Sequence, residues 1–99
     1  MTHARIQFSQ DELEEICRRR AVKRLALFGS VLRDDFGPDS DVDVLVEFLD
    51  DFEGRQIYKI YDELSELFGG RTIDLVEAEF LNPLMKKRVL RHTEELYAA

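Results

Sequence analysis

Apolar and polar residues are ordered along this chain in two alternating rhythms, one of helices and one of strands. Leu13, Ile16 and Cys17 recur at three- and four-residue steps and predict an amphipathic helix. Ser9-Gln10-Asp11-Glu12 before them reads as a capping box, with Phe8 and Leu13 at the staple positions, so the helix starts at Gln10. Arg19 and Arg20 close it, where positive charge complements the carbonyl end. Cys17 lies on the apolar stripe and reads as core.

From Val22 to Phe28 the rhythm changes. Leu25-Ala26-Leu27-Phe28 is an unbroken apolar run, as expected of a central strand buried on both faces. Gly29 ends it, 31–33 can form a helical turn, and Phe36-Gly37-Pro38-Asp39-Ser40 is loop chemistry. Val42 to Phe48 then alternates: Val42, Val44, Val46 and Phe48 share one face, and Asp43, Leu45 and Glu47 the other. A periodic helix follows from about Arg55 to Phe68, stopped by Gly69-Gly70. A strand from Arg71 to Val76 sets Ile73 and Leu75 against Thr72, Asp74 and Val76. Asn82-Pro83 forms an N-cap and first-turn pair for a helix reaching about His92, and the EELYAA tail reads as an edge strand or a fraying end. The order predicts one compact α/β (α+β) domain over residues 1–99, with a small mixed sheet of three or four strands packed by helices.

Composition narrows the class. With 44% hydrophobic and 35% charged residues the chain reads as an ordinary globular domain. No apolar run approaches the ~20 residues of a bilayer span, so no membrane association is expected. The first residues lack the apolar stretch of a secretory signal, and the single cysteine cannot form an internal disulfide, so a cytoplasmic protein is expected. A net charge of −7 argues against general nucleic-acid binding, which needs a basic surface. Arg18, Arg19, Arg20, Lys23 and Arg24, and again Lys86, Lys87, Arg88 and Arg91, are basic clusters that read equally as solvated helix faces or as a patch for a polyanion.

The candidate chemistry lies between Leu25 and Val46. Asp41 and Asp43, two apart at the start of a strand, project to one side. Close carboxylates repel unless a cation sits between them, and Mg²⁺ takes oxygen ligands from one or two carboxylates plus substrate phosphates. Asp74 repeats the anomaly on another strand, flanked by apolar Ile73 and Leu75. Taken singly, an Asp-x-Asp pair or a lone strand Asp is most often a surface feature. Gly29-Ser30 changes the balance, because a glycine directly after a buried strand lets backbone amides approach a phosphate, and Ser30 adds a hydroxyl donor. Phosphate donors facing metal ligands are the two halves of a nucleoside triphosphate site. Arg33 reads equally as a phosphate ligand or a surface residue. His3, in a terminal stretch, and His92, near a helix end, are given no role, and Tyr58 lies off its helix's apolar stripe.

The pattern L-F-G-S-x10-D-x-D, with the later Ile73-Asp74-Leu75-Val76, resembles the DNA polymerase β-like nucleotidyltransferase superfamily. Phe28–Arg33, Ser40–Val46 and the small size resemble its minimal nucleotidyltransferase (MNT) members, over nearly the whole chain. The resemblance implies an antitoxin partnered with a HEPN-domain toxin, transferring AMP from ATP to a tyrosine hydroxyl of that toxin. It implies Asp41, Asp43 and Asp74 as catalytic and metal-holding residues for one or two Mg²⁺ ions, and Gly29, Ser30 and Arg33 on the nucleotide. Alternatives are an antitoxin acting by binding alone and an aminoglycoside-type enzyme, although the latter use a second helical domain. A structural zinc module would want a set of four His and Cys ligands, more than the two His and one Cys of this sequence. One geometric expectation follows: the three carboxylates converge within metal-bridging reach beside the Gly29-Ser30 turn.

Overall fold

The computed structural model describes residues 2–3, 6–29, 37, 40–49 and 57–99. Ser9 Oγ accepts the Glu12 amide at 3.3 Å and opens helix α1 (Gln10–Arg19), whose Leu13, Ile16 and Cys17 are buried as the stripe predicts. Two short strands precede it, β1 (Thr2–His3) and β2 (Ile6–Gln7), paired antiparallel where the sequence predicts only a tail. After α1 the chain turns through Ala21, which takes a left-handed φ of 56°.

The sheet is built from β3 (Val22–Phe28), β4 (Val42–Phe48), β5 (Ile73–Glu77) and β6 (Thr93–Ala98), in the spatial order β5-β4-β3-β6. β3 runs antiparallel to both β4 and β6, whereas β4 and β5 are parallel. A parallel pair needs a crossover, and helix α2 (Ile57–Leu67) lies in the β4–β5 connection. This is the mixed four-stranded α/β architecture expected, with the tail resolved as edge strand β6 rather than a fraying end.

Helices α1 and α2 cover one face. Leu13, Ile60 and Leu64 meet Leu25, Leu27, Val44 and Val46 there, all fully buried. Burying each such side chain contributes roughly 1.5–3 kcal/mol. Phe8 and Phe68 close its rim edge to face, ring centres 5.4 Å apart. Ala26 and Leu45 point to the opposite face yet are also buried, and the short 3₁₀ turn Ala78–Phe80 packs on β4. That second face is thus closed at its Leu45 end, leaving the Asp43 end as the place for polar groups.

Asn82 Oδ1 accepts the Met85 amide at 2.8 Å and caps helix α3 (Pro83–Leu90), two residues shorter than predicted. No residue of α3 is buried, and Leu84 and Met85 are exposed. Its capping pair, not core packing, explains why it was legible. Among the described residues no helix is long and apolar enough to cross a membrane.

Candidate active site

Strand register assembles the candidate site. Phe28, the last residue of β3, pairs with Asp43 of β4, and Asp43 pairs with Asp74 of β5. Directly paired residues share a face, so Asp43 and Asp74 lie side by side on neighbouring strands, about 4.8 Å apart along the hydrogen-bonding direction. Asp41 immediately precedes β4, two residues from Asp43. The core-facing valines alternate with these carboxylates, so the hydrophobic rhythm of β4 is what turns Asp43 away from the helices. Asp43 is half-buried; Asp41 and Asp74 are exposed.

Gly29 follows β3 with φ +73°, a conformation L side chains rarely adopt. A Cβ at this position would lie 3.0 Å from the Asp43 Cγ and overlap its Oδ2. The bare backbone of Gly29 therefore sits directly against the Asp43 carboxylate. This joins the two parts of the sequence motif in space.

The expected convergence of three carboxylates is not met by the side chains. Among the described residues no group of three His, Cys, Asp or Glu side chains is placed to hold a metal ion. What the fold does fix is a common face and adjacent register for Asp43 and Asp74. The donor set suits a hard divalent cation in kind, being all oxygen, and the Asp43 carboxylate occupies the place that a side chain at position 29 would take. Ser30 and Arg33 lie outside the described residues, as does the turn expected at 31–33.

Arg71 is a neighbour that sequence reasoning passed over. Its Nη1 donates to the carbonyl oxygens of Gly37 at 3.1 Å and Ser40 at 3.3 Å, just ahead of Asp41. Its place directly after Gly69-Gly70 and just before a strand carrying an acid was the only available sign.

Other candidates resolve as structural. The Arg19 and Arg20 side chains both donate to Glu63 of α2, Arg20 Nε at 2.6 Å, so part of the first basic cluster ties α1 to α2. Burial opposes ionisation of Glu63, but these two arginines outweigh it and hold the carboxyl below its ordinary range. Burial pushes the Cys17 thiol up to about 12, which leaves it neutral and in the core. Tyr58 is 85% exposed, as its place off the stripe implied. A groove of about 400 Å³ between α1 and α2 is lined by Glu12, Ile16, Arg19 and Glu66 among others, with none of the motif residues.

With this geometry in hand, residues 11–96 match the nucleotidyltransferase domain family. The chain is 35% identical over 78 residues to the protein adenylyltransferase MntA of Thermococcus cleftensis, covering 79% of this chain and 78% of that one. A solved structure provisionally named a minimal nucleotidyltransferase superposes with a TM-score of 0.70 at 31% identity, covering 85% of each chain. A chain of the Shewanella oneidensis complex between a tri-AMPylated HEPN toxin and an MNT antitoxin superposes with a TM-score of 0.60, covering 91% of this chain and 70% of that one; at 18% identity this is a likeness of fold.

Proposed function

The chain belongs to the nucleotidyltransferase domain family, and from that premise we propose that it transfers AMP from ATP to a hydroxyl of a partner protein, as the antitoxin of a toxin–antitoxin pair. The acceptor is a tyrosine of a HEPN-domain toxin. The observation that carries this reading is the close approach of Gly29 to Asp43, with Asp74 next to Asp43 across the parallel pair. The names of the MntA relative and of the tri-AMPylated complex support the choice of AMP as the group transferred and of a toxin as acceptor.

Gly29, having no side chain, presents bare backbone to the triphosphate at the strand end, and Ser30 and Arg33 supply donors to its phosphates. Asp41, Asp43 and Asp74 would hold Mg²⁺, which when bound supplies charge neutralisation to the triphosphate and the leaving pyrophosphate. Asp74 lies on β5, an edge strand, and is exposed, so an acceptor can reach it from solvent. Its carboxylate takes the proton of the acceptor hydroxyl as the hydroxyl oxygen bonds to the α-phosphorus. The bond from the α-phosphorus to the bridging oxygen breaks, and pyrophosphate departs. A carboxylate on an open sheet edge suits a macromolecular acceptor, whose own surface completes the site.

Incubation with ATP, Mg²⁺ and the product of the adjacent gene, followed by intact mass measurement, tests the reading. Mass steps of AMP on the partner are expected. Tight complex formation with no mass change would replace it with neutralisation by binding alone.

A further inference from the structure

We propose that Arg71 is a positioning residue, whose single guanidinium braces the segment carrying Asp41 against the segment carrying Asp74. The inference rests on the nucleotidyltransferase reading of that site and adds a residue to it.

The bracing is visible bond by bond. Gly37 and Ser40 close on each other: the Ser40 amide donates to the Gly37 carbonyl at 3.1 Å, and the Gly37 amide donates to Ser40 Oγ at 3.0 Å. Arg71 Nη1 then donates to the carbonyl oxygens of both residues. Asp41 is the next residue in the chain. On the other side, the Arg71 carbonyl accepts Ser65 Oγ of α2 at 2.6 Å, and the following carbonyl, of Thr72, accepts the Val42 amide at 2.9 Å. The chain then enters β5 and reaches Asp74. One residue thereby touches the approach to Asp41 through its side chain and the approach to Asp74 through its backbone.

The chemistry suits a brace. A guanidinium presents planar donors in fixed directions, so it holds two carbonyls at a set angle. Lysine would offer a point charge on a flexible stem. The carboxylates on either side repel, and Asp41 lies one residue outside β4. The Val42–Thr72 bond sets the end of β4 beside β5, and the Arg71 side chain extends that tether to Ser40 and Gly37, on the other side of Asp41.

Arg71→Met and Arg71→Lys, compared with the unaltered protein, test the proposal. Each would be assayed for AMP transfer and, independently, for Mn²⁺ affinity by electron paramagnetic resonance with a non-hydrolysable ATP analogue. Misplacement by about an ångström predicts a roughly tenfold to hundredfold fall in kcat for Arg71→Met, with weaker Mn²⁺ binding, KM for the acceptor little changed, and partial rescue in Arg71→Lys. A role confined to stability would lower the melting temperature and leave kcat and Mn²⁺ affinity of the folded protein unchanged, which would overturn the proposal. Ser40→Ala removes the Gly37–Ser40 side-chain bond with Arg71 intact, and the same direction of effect is expected, so a failure of Arg71→Met to fold does not end the test. If the unaltered protein neither transfers AMP nor binds the Mn²⁺–nucleotide, the reading of the site falls and this inference with it; an active parent with unchanged variants overturns only the role of Arg71.

Discussion

Gly29 lies so close to Asp43 that a Cβ on the glycine would stand 3.0 Å from the aspartate's carboxyl carbon. Gly29→Ala must therefore push the Asp43 carboxylate aside and also hold a left-handed φ, at a cost of about 1–2 kcal/mol. AMP transfer is expected to fall by roughly a hundredfold or more, as for other small misplacements of catalytic groups. Activity assays paired with thermal melts would check it, since the activity loss should far exceed what partial unfolding explains.

Ala21 also sits at positive φ, 56°, but far from any chemistry. It occupies the residue after the α1 cap, where glycine is favoured. Ala21→Gly should stabilise the fold by up to about 1 kcal/mol, the relief of strain being partly offset by a more flexible unfolded chain. A rise of a few degrees in melting temperature with unchanged activity is the expected result.

The Glu63 carboxyl, held below its ordinary value of 4.5 by Arg20 and Arg19 against the effect of burial, links stability to pH with a definite sign. A lowered folded-state value means that its contribution is complete above 4.5 and is lost as pH falls through the lower folded value. Glu63→Gln should cost about 1 kcal/mol at neutral pH, as expected for a partly exposed pair, and nothing once the acid is protonated in both states. Denaturant unfolding of both proteins between pH 7 and pH 3 should show their curves converging at the acid end.

Cys17 gives a probe of global opening. With the thiol fully buried and its pKa pushed up to about 12 by that burial, iodoacetamide should fail to label the native protein and should label it promptly in denaturant. Rapid native labelling, read by intact mass, would contradict the packing of α1 described above.

Local chemistry made much of the fold legible. Ser9 and Asn82 announced their helices because a side-chain cap acts within three residues. Val42 to Phe48 announced its strand because a half-buried strand must alternate, and the same alternation put Asp43 on the face away from the helices. What stayed hidden depends on partners far along the chain. Arg71 bonds to backbone carbonyls, which every residue possesses, so no residue type at positions 37 and 40 could advertise the contact. Glu63 and Arg20 are distant in sequence, and nothing local pairs them. Leu84 and Met85, in the first turn of α3, remain exposed, because a cap specifies a helix and not what covers it. The side-chain convergence of Asp41, Asp43 and Asp74 was expected from the motif, whereas the fold supplies the shared face and the register.

The central claim is that these carboxylates carry AMP transfer. Asp41→Asn removes one charge at an exposed position beside β4, outside the hydrophobic core, so the fold should survive. Transfer of radiolabel from α-labelled ATP to the partner protein, measured for the unaltered chain and for Asp41→Asn at equal melting temperature, is the most direct test. Label on the partner with the unaltered chain and none with Asp41→Asn is the predicted result; undiminished labelling by the variant would contradict the account.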